Sequence, residues 1–522
     1  MRISLSDFPG FDPTGVTSSD AAMSAAIASI PSSAGGGAIV IDSSQKVRLD
    51  TSIGLQQGQQ IVGEFNCHAH AGAGYSYAFE ESGSAVRLHN GAEIRLDNGA
   101  ALKNVLVYRG GMEFNSAPDF NEWTGVGVRL GYGNDQRLED VMVLGFDTCV
   151  ANLADRGLNG NGRVVMDRVY VDGKNGFRLV GSYDTSFFDE LRAFCFATQG
   201  YPGEPAPGEW YDPRKDRRPG VGFQMLDRSD GTKIGRIETF GYLVGFDANC
   251  ASWLAQQVTA DYPSTPTYLA PATAIGVRLR ADVDPTSGNR PVDVDPSHIG
   301  SIQVWSYGKG IVSIGRPGRM ASIGSAALVN LTSDAVTIDG GGVQIDNLDA
   351  CLCSGFPVAF AKAPDTVTRI RGNATQFGPS RNSWNAAVVK APAGSIREYV
   401  DVQISTDQST GCKFYDDGAG NHVPIYREIP SAVPVQLPPP SGKSVDDYTI
   451  TGTVSFGAIH GGQGGRIVRL HFKSAVSVTA ANATNGIRLP SGASSLNVPA
   501  GAIMTLDYNG AKDRWEVVSY VA

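Results

Sequence analysis

The sequence predicts an all-β protein: a right-handed parallel β-helix with an N-terminal capping helix and a C-terminal antiparallel β-sandwich. The main observation is a repeat. From Leu102 to Phe360 two apolar-x-apolar triplets alternate. The first set includes Val105-Leu106-Val107, Val141-Met142-Val143, Val169-Tyr170-Val171, Leu191-Arg192-Ala193, Ile237-Glu238-Thr239, Val258-Thr259-Ala260 and Ile302-Gln303-Val304. The second, often preceded by Gly, includes Val128-Arg129-Leu130, Phe177-Arg178-Leu179, Phe223-Gln224-Met225, Phe246-Asp247-Ala248 and Val277-Arg278-Leu279. The second observation is spacing. The step from first to second triplet is short (Val141 to Val150, Ile237 to Phe246), and the step back is longer (Phe177 to Leu191). One full turn is about 22 residues, within the range of stacked repeats. Alternation at period two marks a strand, and strands this short bury a face only by stacking turn on turn. The third observation is a change of texture after a Pro-rich stretch, where short alternating segments continue without the repeat.

Residues 1–65 read as a cap and the first turns. Ser19 or Asp20 caps a helix through Ala21, Ala22, Met23, Ala25, Ala26, Ile27 and Ile30, which Pro31 stops. Gly35-Gly36-Gly37 then leads into strands at Ala38-Ile39-Val40-Ile41 and Gln60-Ile61-Val62. An open solenoid end exposes strand edges and core side chains, and a short helix covers them. Residues 66–429 carry the β-helix and its loop insertions. Residues 430–442, with Pro430, Pro434, Pro438, Pro439 and Pro440, read as a linker. Residues 443–522 alternate at Thr449-Ile450-Thr451, Ile467 to Phe472, Val476-Ser477-Val478, Ile487-Arg488-Leu489, Met504-Thr505-Leu506 and Trp515 to Val518, as a small sandwich does.

Composition excludes several classes. A net charge of −9 over 522 residues is mild and argues against a nucleic-acid partner. No apolar run is long enough to span a membrane, and Met1 to Asp7 lack a secretory apolar stretch. Seven cysteines in a long chain are not a disulfide framework; Cys149, Cys195, Cys250 and Cys351 fall in or beside triplets, as small buried thiols folded in a reducing cytoplasm. No cofactor is expected. His68 and His70 form a His-x-His pair beside Cys67 but read as turn residues, so no metal site is assigned there. Asp282, Asp284, Asp293 and Asp295 lack a calcium-loop spacing and read as a solvated loop.

The opening stretch carries a resemblance. Asp12-Pro13-Thr14-Gly15-Val16-Thr17-Ser18-Ser19-Asp20-Ala21-Ala22-Met23, then Ala26-Ile27, then Gly35 to Ile41, then Ile61-Val62-Gly63-Glu64 resembles the start of pectate-lyase-like β-helix proteins, among them many bacteriophage tailspike depolymerases. The resemblance covers roughly residues 7–65 in motif and 100–360 in architecture. The motif is structural and transfers no catalytic residue. It implies a homotrimer in the phage tail that binds and cleaves a bacterial surface polysaccharide (capsule, exopolysaccharide or O-antigen) by hydrolysis at paired carboxylates or by β-elimination. It implies synthesis in the host cytoplasm and action at the bacterial surface. A secreted pectate- or alginate-type lyase and a non-catalytic receptor-binding protein are the alternatives. Nothing like a virion anchor precedes residue 7, so the chain is expected either to be a piece of a longer one or to dock through a tail or adaptor protein. Outward residues Leu106, Met142, Ala151, Val312 and Ala359 are expected to face the other subunits of the trimer.

Three insertions interrupt the same edge of the repeat: Tyr108 to Gly125 with Phe120, Glu122 and Trp123; Ala197 to Gly220 with Tyr201, Glu204, Glu209, Trp210, Tyr211, Asp212 and Asp216; and Asp261 to Thr273 with Tyr262 and Tyr268. Aromatics suit the C–H faces of sugars and carboxylates suit their hydroxyls; the same aromatics also suit packing of the loops onto the solenoid. Arg214, Lys215, Arg217 and Arg218 form a basic cluster fit either for sugar carboxylates or for ion pairs with Asp212 and Asp216. Beside these loops the repeat sets Glu190 against Arg236 and Arg192 against Glu238, on turns about 4.8 Å apart. The two glutamates are then offset diagonally by about 7–8 Å between backbones, which fits a carboxyl pair for glycoside hydrolysis and also a cross-strand charge ladder. Glu190 and Glu238 are the candidate catalytic pair, supported by Asp261, with Glu209 and Asp212 as loop alternatives. Arg192, Arg236, Trp123, Tyr201, Trp210, Tyr211, Tyr262 and Tyr268 are the candidate substrate-binding residues. The loop tip from Gly203 to Arg218 is expected to be removable without unfolding the solenoid.

Overall fold

The computed structural model describes residues 1–33, 35–66, 83–112, 118–152, 161–182, 184–198, 216–226, 231–250, 252–264, 268–280, 297–315, 320–362, 368–377, 389–390, 400–404, 414–416, 422–424, 427–437, 446–462 and 464–521. The chain divides into two units, Met1–Val423 and Pro424–Ala522.

The first unit is a parallel β-helix. Two long sheets take strands alternately from the chain, and the pairs given along each run parallel. The register is the one the triplets require. Val105, Val141, Val169, Leu191, Ile237, Val258 and Ile302 stand opposite one another on successive strands of one sheet. Phe177, Phe223, Phe246 and Val277 do so on the other. Inside, Phe223 stacks on Phe246 with centroids 5.7 Å apart and meets Phe177 at a tilt, 5.6 Å away. Each such ring removed from water contributes about 1.5–3 kcal/mol.

A third apolar wall was not visible in the triplets. Leu102, Leu138, Met166, Phe188, Ile234, Ala255, Ile299, Ile323 and Ile345 form one buried column, each standing three residues before a triplet. Between column and triplet the chain bends. Asn104, Asp140 and Arg168 occupy the left-handed region at the bend, with φ of 54°, 53° and 50°. Asn and Asp tolerate that region. Arg168 is held there by two 2.7 Å bonds from its guanidinium to the Asp140 carboxylate of the neighbouring turn.

The opening motif closes on itself. One Asp12 oxygen accepts from the Thr14 N–H (2.9 Å) and hydroxyl (2.6 Å); the other accepts from the Thr17 N–H (2.7 Å) and hydroxyl (2.8 Å). These bonds hold the Asp12 carboxyl far below its usual range. The helix Asp20–Ser29 follows, burying Ala22, Met23 and Ala26. Ser19 is its N-cap by position, but the hydroxyl accepts the Asp12 N–H and leaves the helix uncapped. Cys149, Cys195 and Cys250 are free and buried, and Cys351 is free and half-buried.

The outward apolar residues do not face solvent or a partner. Leu106 and Met142 are fully buried within this one chain, and Ala151, Val312 and Ala359 nearly so. Leu106 and Met142 belong to a second core outside the barrel of strands, with Phe65, Tyr108, Met112, Trp123, Tyr170 and Phe196. The first insertion folds back and covers them. For Leu106 and Met142 the apolar surface from which a trimer was expected is therefore covered by a loop of the same chain.

The second unit holds a mixed sheet rather than the antiparallel sandwich expected. Arg427–Pro430, Asp446–Thr451 and Ile467–Phe472 run parallel, whereas Ile467–Phe472, Ile503–Asn509 and Arg514–Val521 run antiparallel. The reason lies in connection length. Long links between the first strands permit parallel crossovers, whereas a short turn joins the last two as a hairpin. Residues expected in a linker take part: Val435–Gln436 pairs with Ile459–His460, and Val435 and Leu437 enter the core around Trp515. The Trp515 indole donates to the Ile459 carbonyl at 2.7 Å.

Candidate active site

The strand Phe187–Ala193 lies beside Lys233–Phe240, which lies beside Leu254–Asp261. In this register Glu190 faces Arg236, Arg192 faces Glu238, and Phe240 faces Asp261. Alternation turns the middle residues of the triplets outward, so Arg192 and Glu238 leave the core while Leu191, Ala193 and Ile237 fill it. Three carboxyls thus sit on three adjacent strands of one edge.

Two of them are tied to guanidinium groups. Arg236 Nη2 is 2.9 Å from Glu190 Oε1, and Arg192 Nη2 is 2.9 Å from Glu238 Oε2. Arg192 Nε also lies 3.4 Å from Glu190 Oε1. The Tyr170 hydroxyl donates to Glu190 Oε1 at 2.7 Å, and Arg192 lies over the Tyr170 ring at 5.4 Å. Phe196 stacks on Tyr170 with centroids 5.8 Å apart, so the second core fixes the phenol that orients Glu190. Burial pushes the Glu190 carboxyl up. The Tyr170 hydroxyl, the Arg236 bond and the Arg192 charge together outweigh that and hold it below the usual glutamate range.

Asp261 is different. No guanidinium among the described residues bonds it. Burial pushes its carboxyl up, the Tyr262 N–H opposes this, and the Glu238 charge adds to it; the group is raised from 3.8 to about 7. It titrates near neutral pH, with an ionisable partner, Glu238, one strand away. Glu190 and Glu238 thus both have arginine partners, whereas Asp261 has none among the described residues.

The aromatic loops divide. Tyr268 is 46% exposed and offers a ring face. Trp123 and Tyr262 are each 3% exposed and do not. Trp123 packs edge-on to Phe120 (5.2 Å), and Tyr262 packs against Tyr307 (5.1 Å) beneath Arg217 (5.0 Å). Arg217 donates to the carbonyls of Pro263 (3.1 Å) and Tyr268 (2.6 Å), stapling the third insertion to the end of the second. Arg218 is fully buried against Asp172, with bonds of 2.7 and 2.9 Å, and its guanidinium lies over Phe120 and Trp123. Asp216 is buried and accepts from Thr198 at 2.7 Å. Arg217 and Arg218 are therefore structural and do not wait for sugar acids. Tyr201, Glu204, Glu209, Trp210, Tyr211, Asp212, Arg214 and Lys215 lie outside the described residues, as do His68, His70, Asp282, Asp284, Asp293 and Asp295.

One residue near the carboxyls escaped the sequence reading. Trp305 stands opposite Asp261 on the next strand and is half-buried. Its signal was its place two residues after the triplet centre Gln303, the column that Asp261 occupies one turn earlier.

No family model matches the sequence, and no curated protein matches it. Among solved structures, the chain is similar to the catalytic unit of a thermostable GH87 alpha-1,3-glucanase from Streptomyces thermodiastaticus, at 12% identity and a TM-score of 0.34, over 81% of this chain and 71% of that one. It is also similar to a DFA-IIIase from Arthrobacter chlorophenolicus in complex with GF2, at 11% identity and a TM-score of 0.32, over 78% of this chain and 99% of that one. At these scores neither likeness bears on the chemistry, which is read from this chain's own residues.

Proposed function

We propose that the chain hydrolyses glycosidic bonds of a polysaccharide, with Asp261 protonating the leaving oxygen and Glu238 acting as the second carboxyl. The observation that carries this is the division among three carboxyls on adjacent strands: Glu190 and Glu238 are held by arginines, and Asp261 is shielded, with its carboxyl raised to about 7. Glycoside hydrolysis needs that pairing of a proton donor with a carboxylate that activates water or attacks the sugar. Glu190 is a positioning residue, fixing Arg192 and Arg236 around Glu238. Tyr268 and Trp305 offer rings to the C–H faces of the sugar. Elimination from a uronate requires cations for the sugar's own carboxylate; Arg192 and Arg236 are engaged by glutamates, which favours hydrolysis.

The finer reading is a bacteriophage tailspike acting at the cell surface on capsule, exopolysaccharide or O-antigen. Its support is the likeness of residues 7–65 to the opening of such proteins. Incubating the protein with a panel of these glycans and sizing the products by chromatography tests both levels. Chains shortened by the wild type and left intact by Asp261→Asn are the expected result. Chains bound but never shortened would mark a receptor-binding protein without catalysis.

A further inference from the structure

The outer face of the sheet that carries the carboxyls changes character just past them. Strands Phe187–Ala193 and Lys233–Phe240 are charged, with Asp189, Glu190, Arg192, Lys233, Arg236 and Glu238. The next three, Leu254–Asp261, His298–Trp305 and Met320–Val329, hold Asp261 and His298 as their only ionisable residues. Charge returns with Asp346 and Asp349 on Gly342–Cys353. In register, Gln257 stands beside Ser301 and Ser301 beside Ser325, while Thr259 stands beside Gln303. Alternation turns these five outward and half-buried, while Val258, Ile302 and Ala326 beside them fill the core. The Gln257 amide donates to the Thr259 hydroxyl at 3.3 Å. The side chains of Gln303 and Ser325 have no hydrogen-bond partner among the described residues.

This uncharged face adjoins the candidate site and leads away from it. Behind the carboxyls the same outer face is closed, because Leu106, Met142 and Tyr170 are buried in the second core. Ahead of them Trp305 stands beside Asp261. The third insertion, which leaves the strand end at Asp261, is tied at two places along that edge. Arg217 donates to the Tyr268 carbonyl (2.6 Å), and the Thr332 hydroxyl, beyond the end of Met320–Val329, donates to the Ala270 carbonyl at 2.9 Å. The three strand steps from Glu238 to Ser325 span about 14 Å at ~4.8 Å each.

We propose that this face holds uncharged sugar units of a neutral polysaccharide, which runs along the solenoid axis away from the carboxyls. A sugar hydroxyl both donates and accepts, and so do amide and hydroxyl side chains, so Gln303, Ser301 and Ser325 suit it. A uronate or phosphate laid here would lose water and meet no lysine or arginine on these strands, which costs far more than burying a neutral hydroxyl. Arg192 and Arg236, one and two strands before, are already bound to Glu238 and Glu190. The inference rests on the glycan reading above and narrows it to a substrate class; binding is read apart from turnover, so the two can fail separately.

The test passes capsular, exopolysaccharide and O-antigen glycans, neutral ones and ones carrying uronate or phosphate, over the immobilised full chain bearing Asp261→Asn. The wild type is scored separately for shortening the same glycans. Neutral glycans are expected to be retained, with an affinity that added salt leaves nearly unchanged. Gln303→Ala is expected to weaken that binding roughly fivefold. Ser325→Lys is expected to weaken it too, whereas an acidic glycan would gain from the new charge. If a variant does not fold, the salt response still decides. Retention of acidic glycans alone, a gain with Ser325→Lys, or binding unmoved by Gln303→Ala overturns the proposal, and shortening by the wild type would then leave the hydrolysis standing. Neutral glycans held as expected but never shortened would remove the hydrolysis and leave this face standing. Glycans neither held nor shortened overturn both.

Discussion

Asp261→Asn separates the proposed chemistry from a purely structural role. The substitution keeps shape and removes both the proton and the latent charge. The wild-type carboxyl is raised from 3.8 to about 7. A carboxyl raised on folding costs nothing below about pH 4, where folded and unfolded chains both hold the proton. As pH rises toward about 7 the unfolded chain ionises and the folded one does not, so stability is lost through that window and the loss is complete above it. The rise from 3.8 to about 7 corresponds to at most about 4 kcal/mol, less whatever the partial exposure of the group relieves. Asparagine has no such dependence. Thermal scans at one fixed rate, at pH 4.5 and pH 8.5, are therefore expected to show the variant gaining on the wild type as pH rises. Turnover on a shortened glycan is expected to fall by a factor of order 10² or more. The wild type itself should lose turnover above about pH 7, as Asp261 gives up its proton. Parallel stability curves for the two proteins together with unchanged turnover would refute the assignment.

Three further outcomes follow from the same geometry. Glu238→Gln should lower turnover by a factor of order 10² or more while leaving melting nearly unchanged, because its pair with Arg192 is partly exposed; a charge ladder gives the reverse, and both are read on one preparation. Arg218→Met leaves the Asp172 carboxylate buried without its guanidinium and should destabilise the first unit by about 3–5 kcal/mol, read by urea unfolding. Tyr170→Phe removes a hydrogen bond that lowers the Glu190 carboxyl, so the Glu190 titration followed by NMR should move to higher pH, with about 1 kcal/mol of stability lost.

Much of the solenoid was legible because period-two alternation states which residues share a face. Once Val141 and Val169 are aligned, the pairing of Glu190 with Arg236 and of Arg192 with Glu238 follows by counting. The third wall was not legible: one apolar residue such as Leu138, three positions before a triplet, makes no alternation. Nor was the cover over Leu106 and Met142, since a loop's fold-back depends on distant partners. Arg218 and Asp172 are 46 residues apart, and no local spacing joins them. That pair also corrects the expectation about the loop tip. Deleting Gly203 to Arg218 would remove the partner of a buried carboxylate, so a tolerated deletion must stop before Asp216. The shielding of Asp261 was hidden for a similar reason. Register shows that Asp261 adjoins Glu238 by one strand, but the burial that raises its carboxyl is not stated by any local spacing.

Product analysis in heavy-oxygen water tests the central claim most directly. A polysaccharide that the wild-type protein shortens is digested in that water, and the new chain ends are weighed by mass spectrometry. Hydrolysis through Asp261 and Glu238 predicts one heavy oxygen at each new reducing end and no new ultraviolet absorbance. Unsaturated ends that absorb in the ultraviolet and carry no heavy oxygen would contradict it and assign the chain to elimination instead.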